Sequence, residues 1–206
     1  MNLKEAITAR LGAVQVVKEL STSVGPVELL RIPVQKRSKV ELLMTCGLSN
    51  YKMPVLPKHE GREHVELYFC LPAYWDLDDV ENPRMNWVMD WIQKLVLHVI
   101  EKETWYGTGH TIPAGNPPVE LSEGMKQRYF FLCDPSFMQE ELTSLELGDR
   151  KVHFLAILPI FDDEFDYKIG KGTYKLLQRL ERQGVTELLD DFRGTVLRSK
   201  WRVFRR

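Results

Sequence analysis

The sequence predicts an α+β fold, a single domain with a mixed, mostly antiparallel sheet flanked by helices. Three observations lead there. Strand-like runs follow one another across short polar turns, as in hairpins. The helical repeats are few and interleave with the strands irregularly, without the regular alternation of a doubly wound parallel sheet. No internal repeat, low-complexity tract or long linker divides the 206 residues, so 1–206 reads as one domain.

Residues 2–11 read as a short helix, because Leu3, Ile7 and Leu11 fall at i, i+4 and i+8, and Gly12 stops it. Residues 14–20 are rich enough in β-branched side chains for a strand, and Ser23-Val24-Gly25-Pro26 signals a turn. Val27–Val34 and Val40–Cys46 form a hairpin around a polar loop. Residues 47–61 hold Pro54 and Pro57 and read as a loop. Glu63–Leu71 is the clearest strand, with Val65, Leu67, Phe69 and Leu71 on one face and Glu66 and Tyr68 on the other.

A loop rich in Asp and Trp spans 72–83. From Arg84 to Glu103, Trp87, Trp91, Leu95 and Val99 repeat at i, i+4, and the wide apolar arc predicts a largely buried helix. Thr108–Ala114 reads as a short strand. Arg128–Cys133 is a strand ended by Asp134-Pro135. Leu142–Leu147 is a short strand before a Gly148-Asp149 hairpin turn. Val152–Ile160 is almost continuously apolar, which predicts a central strand buried on both faces and ended by Pro159. Asp162–Gly170 is an acidic loop or helix start, Thr173–Arg182 a helix and Gly184–Asp190 a short helical turn. The tail from Arg193 to Arg206 holds six basic residues and no acidic one.

Composition bounds the function only loosely. Lys and Arg number 28 against 29 Asp and Glu, a formal charge of −1. That excludes a generally basic nucleic-acid binder and a polyanionic disordered protein. The total is nonetheless a cancellation between acidic loops at 76–81 and 162–166 and the basic tail. The three Cys lie in separate apolar runs with no C-x-x-C spacing, so they read as buried small hydrophobes rather than a disulfide framework or zinc site. The N-terminus carries Glu5 and Arg10 where a signal peptide needs an apolar core, and no long uncharged apolar stretch occurs. A cytoplasmic protein without a membrane span is expected.

No complete catalytic constellation is legible. The nucleotide fingerprints, H-E-x-x-H and G-x-S-x-G are missing. The carboxylates of Asp162, Asp163, Glu164 and Asp166 follow a buried strand, where a metal-dependent hydrolase places ligands, and His110 lies in a glycine-flanked loop. The competing account is a solvated helix N-terminus that favours negative charge. The basic tail could grip phosphates, with Trp201 and Phe204 to stack on bases, or simply be a solubilising end. Trp75, in a polar loop, reads as a surface anchor for a protein partner.

The order of segments resembles the suppressor of fused domain. The resemblance runs over 39–193, leaving 194–206 as the basic tail. It rests on LLMTCGLSNYKMPV (42–55), EHVELYFCLP (63–72), NWVMDWIQKLVLHVIEKE (86–103), GTGHTI (107–112), RYFFLCDPSF (128–137), HFLAILPIFDDEFDYKIGKGTYKLLQRL (153–180) and DDFR (190–193). It implies a suppressor-of-fused-like α+β domain that binds another protein and has no catalytic residues, cofactor, metal or small-molecule substrate. Animal members restrain zinc-finger transcription factors through a groove shared with a second domain, for which 206 residues leave no room. The short bacterial members act largely as immunity proteins that neutralise a cognate toxin. On this resemblance Glu66, Trp87, Pro159, Glu164, Asp191 and Arg193 are structural, with Arg193 paired to Asp190 or Asp191. The expected protein-binding residues are Trp75, Asp76, Asp78, Asp79, Asp162, Asp163 and Asp166, an anionic face suited to a basic toxin. The rival is a metal-dependent hydrolase on the 162–166 segment.

Overall fold

A computed structural model describes residues 2–36 and 38–197. Most of the basic tail, residues 198–206, lies outside the described residues. Eight strands form one sheet: β1 (Gln15–Thr22), β2 (Gly25–Gln35), β3 (Lys39–Cys46), β4 (His64–Pro72), β5 (Thr111–Pro113), β6 (Tyr129–Cys133), β7 (Leu145–Leu147) and β8 (Arg150–Ile160). Their order is β1-β2-β3-β4-β8-β6-β5, and β7 pairs with β8. The β4–β8 pair is parallel and the other pairs are antiparallel. The mixed, mostly antiparallel sheet of the expected α+β fold is therefore present.

Both faces of the sheet are covered, so the core has two layers. One face carries Leu29, Leu43, Leu67, Phe69 and Ile157 beneath α2 (Trp87–Glu101). The other carries Leu30, Leu42, Tyr68, Cys70 and Leu158 beneath α1 (Leu3–Leu11) and α4 (Thr173–Arg182). The period-2 alternation read in β4 is the reason: odd positions face α2, while Tyr68 and Cys70 face the opposite layer. The three Cys are all buried thiols, and burial pushes the Cys46 thiol up to about 12.

Local chemistry sets the element ends. In α1, Asn2 Oδ1 accepts the Glu5 N–H and the Glu5 carboxylate accepts the Asn2 N–H, each at 2.8 Å, a reciprocal cap. The acidic 162–170 stretch is a helix, α3 (Asp162–Lys171), with three carboxylates in its first turn against the positive end of the helix dipole.

Two expectations are corrected. Pro159 does not end the central strand; β8 continues to Ile160. Its carbonyl points away from β6 toward Arg193, so its missing N–H falls on the side where β4 has already stopped pairing, at Ala156. The segment after α4 is not a helical turn either. Leu189 donates to the Cys70 carbonyl at 2.8 Å, and Leu188 bridges Cys70 in parallel.

A candidate protein-docking surface

Among the described residues three carboxylates are buried, and each one gathers loop N–H groups at an end of a central strand. Glu66, on β4, takes the N–H groups of Gly47 and Ser49 at 3.0 and 2.9 Å on one oxygen and faces the Thr45 hydroxyl with the other. Gly47 is required in this turn: its φ is +116°, and a Cβ would meet the Pro26 carbonyl oxygen at 2.7 Å. Among the described residues no cation pairs with Glu66, and burial raises its carboxyl above the usual carboxylate range despite the bonds from Thr45 and Ser49.

Glu187 is better supplied. It accepts the Ser136, Phe137 and Met138 N–H groups at 3.0, 2.9 and 2.9 Å, together with the Ser136 and Tyr68 hydroxyls. Burial pushes its carboxyl up, but these donors outweigh burial and hold it below the ordinary value. Glu164, in the first turn of α3, takes both arms of Arg193 and the N–H groups of Phe161 and Val196. The second arm of Arg193 also reaches the Pro159 carbonyl at 2.7 Å.

Glu187 and Arg193 thus point inward from one short segment and pin it at both ends. Between them the chain turns over Asp190, whose carboxylate accepts the Phe192 N–H at 2.9 Å. The turn throws Phe192 outward, to 85% exposure. Tyr74 stands beside it at 50% exposure, with ring centroids 6.4 Å apart, and its hydroxyl donates to Asp191. Burial first and that hydrogen bond second push the Tyr74 hydroxyl up. Beneath the pair lies a groove of about 690 Å³ floored by Pro72, Val185, Leu188 and Leu189. Across Arg193, Gly194 and Thr195 a second concavity of about 540 Å³ reaches Asp162 and Asp163. The pinned segment therefore runs as a ridge between two depressions, the first lined by Asp190 and the second by Asp162 and Asp163 beside Lys126 and Arg128.

The residues expected to bind a partner are distributed unevenly. Trp75 is corrected: it is 3% exposed, not a surface anchor. Its loop folds the indole inward, edge-on to Trp87 at 5.8 Å, and Nε1–H donates to the Met85 carbonyl at 3.1 Å. Asp76, Asp78 and Asp79 are exposed, but Asp78 is engaged by Arg31, which also holds Glu41. Asp162, Asp163 and Asp166 are exposed on α3, and Asp162 pairs with Arg128 at 3.2 Å. Arg193 pairs with Glu164 rather than with Asp190 or Asp191, which corrects the ion pair expected within DDFR.

The hydrolase set does not converge. Glu164 is consumed by Arg193, and His110 packs against the Trp105 ring at 4.2 Å. Among the described residues no three His, Cys, Asp or Glu side chains are arranged to hold an ion. Sequence reasoning missed Glu187, Tyr74 and Phe192. The one available signal was an aromatic residue set among the charges of DDFR.

Residues 24–193 match the family described as Suppressor of fused protein (SUFU). The chain belongs to the suppressor of fused family. No curated protein matches it. Among solved structures, a suppressor of fused homologue from Neisseria gonorrhoeae shares 15% identity at a TM-score of 0.65, over 95% of each chain. The suppressor of fused protein of the Sufu–Fu complex matches at 15% identity and TM-score 0.65, over 94% of this chain and 88% of that one. Drosophila Suppressor of Fused matches at 16% identity and TM-score 0.64, over 94% of this chain and 49% of its own length. The chain thus spans about half the length of the Drosophila protein. None of the helices among the described residues is long and apolar enough to cross a membrane.

Proposed function

We propose that this suppressor of fused domain is a non-catalytic, cytoplasmic protein-binding module whose docking surface is the Tyr74–Phe192 ridge. The observation that carries this is an aromatic residue at 85% exposure, held outward by a segment anchored on both sides by buried charges. A rigid exposed aromatic over a groove is the usual form of an interface hot spot. Asp190 lines the first depression and Asp162 and Asp163 the second, and these carboxylates favour a partner with a basic face. The Sufu–Fu complex, in which a relative assembles with another protein, supports binding as the mode of action. The finer assignment is an immunity protein that occludes a basic cognate toxin.

The test is co-expression with the product of a neighbouring toxin gene. Rescue of growth together with a stable complex supports the assignment. A toxin that stays active beside folded protein rejects it.

A further inference from the structure

A row of cations lies on a different face. Lys171 of α3 and Lys175, Arg179 and Arg182 of α4, with Tyr167 and Gln178, line an open cleft of about 310 Å³. None of these lining residues is acidic or aliphatic. Among the described residues the four cations make no salt bridge. The acid on α4, Glu181, lines the separate cavity beside Leu177 and Leu180.

Lys175, Arg179 and Arg182 follow at steps of four and three residues. They present charges about 6 and 4.5 Å apart along the helix axis. Such neighbours repel one another. Leu176 and Leu180 anchor the helix and keep this face outward. Arg179 stacks on the Tyr167 ring, 4.9 Å from its centroid, which holds the guanidinium in place. Tyr174, 67% exposed and four residues before Gln178, extends the stripe with a free aromatic face.

The geometry points to a binding site for the phosphodiester backbone of single-stranded nucleic acid along α4. A linear row of unpaired cations fits a linear row of phosphates, and an exposed Tyr beside it gives a base a face to stack on. An acidic protein would find no apolar centre to bury here. The formal charge of −1 hides the row, because it sums 28 basic against 29 acidic residues over the whole chain. This inference is independent of the protein-docking role.

The experiment is fluorescence anisotropy of a labelled 20-nucleotide single-stranded RNA with the full chain, titrated at several salt concentrations. Competitors are ATP, which offers the same phosphates on a small molecule, and polyglutamate. Binding that weakens with salt and resists both competitors is expected. Lys175→Glu with Arg179→Glu is expected to weaken it at least tenfold. The same charge change at exposed Lys58 and Lys102 is expected to weaken it less than twofold. Neutralising the pair, Lys175→Gln with Arg179→Gln, provides a milder variant and is expected to lower the salt slope by about 1.4. Absent binding, equal loss in the cleft and control variants, or displacement by ATP or polyglutamate overturns the site.

Discussion

Glu164 and Arg193, 29 residues apart in the chain, meet in a two-pronged ion pair at 2.7 and 2.8 Å with side-chain exposures of only 0% and 7%. The pair joins the first turn of α3 to the segment that carries Phe192. It therefore links the integrity of the fold to the position of the docking ridge.

Removing one partner leaves the other charged and buried. Arg193→Met is expected to destabilise the protein by about 3–5 kcal/mol, read as a lowered midpoint in urea unfolding. Arg193→Lys recovers little, because an ammonium cannot serve both carboxylate oxygens and the Pro159 carbonyl in the fork geometry. A wild-type midpoint in Arg193→Met would show that the pair contributes nothing net.

The other two buried carboxylates have opposite pH behaviour. Glu187 is held below its ordinary value, so its contribution is present above the unfolded pKa of about 4.3 and lost as pH falls through the folded one. Glu66 is raised, so its contribution is present below the unfolded value and lost as pH rises through the folded one. Thermal melts across pH are expected to show Glu187→Gln destabilised at pH 7, with the gap to wild type closing in acid.

Glu66→Gln is expected to melt above wild type at pH 8. The amide oxygen keeps the Gly47 and Ser49 N–H groups, and the NH₂ donates to Thr45, which already accepts the Leu67 N–H at 2.9 Å. Glu66→Ala leaves those N–H groups without a partner and is expected to cost more than about 2 kcal/mol. A Gln variant less stable than wild type at pH 8 would mean that the charged form is favoured in the fold.

Much of this frame was legible in the sequence. The alternation in 63–71 gives the two faces of β4, and the apolar run 152–160 gives the central strand, because both follow from the side-chain period alone. Glu66, Glu164 and Arg193 stand out as charges inside apolar or motif stretches. What spacing does not encode is pairing across the fold. Arg193 selects Glu164 over Asp190 and Asp191 because Glu164 lies beneath it after α3 packs. Glu187 draws its donors from 136–138, about 50 residues away. Trp75 and Tyr74 exchange roles for a similar reason: whichever of two adjacent aromatics the loop turns toward Trp87 is the one buried.

Trp75→Ala is accordingly expected to cost about 3–5 kcal/mol as a large core deletion, measured by urea unfolding. Tyr74→Ala and Phe192→Ala are expected to stay within about 0.5 kcal/mol of wild type, since both side chains are exposed. The reverse ranking would place Trp75 on the surface.

The docking ridge is tested most directly by quantitative pull-down of the tagged full chain from its native cell, wild type beside a folded Tyr74→Ala, Phe192→Ala double variant. The account predicts a basic protein retained by wild type and lost from the variant, with a loss of at least about 2 kcal/mol in binding once the partner is purified. Equal retention by both proteins would contradict it.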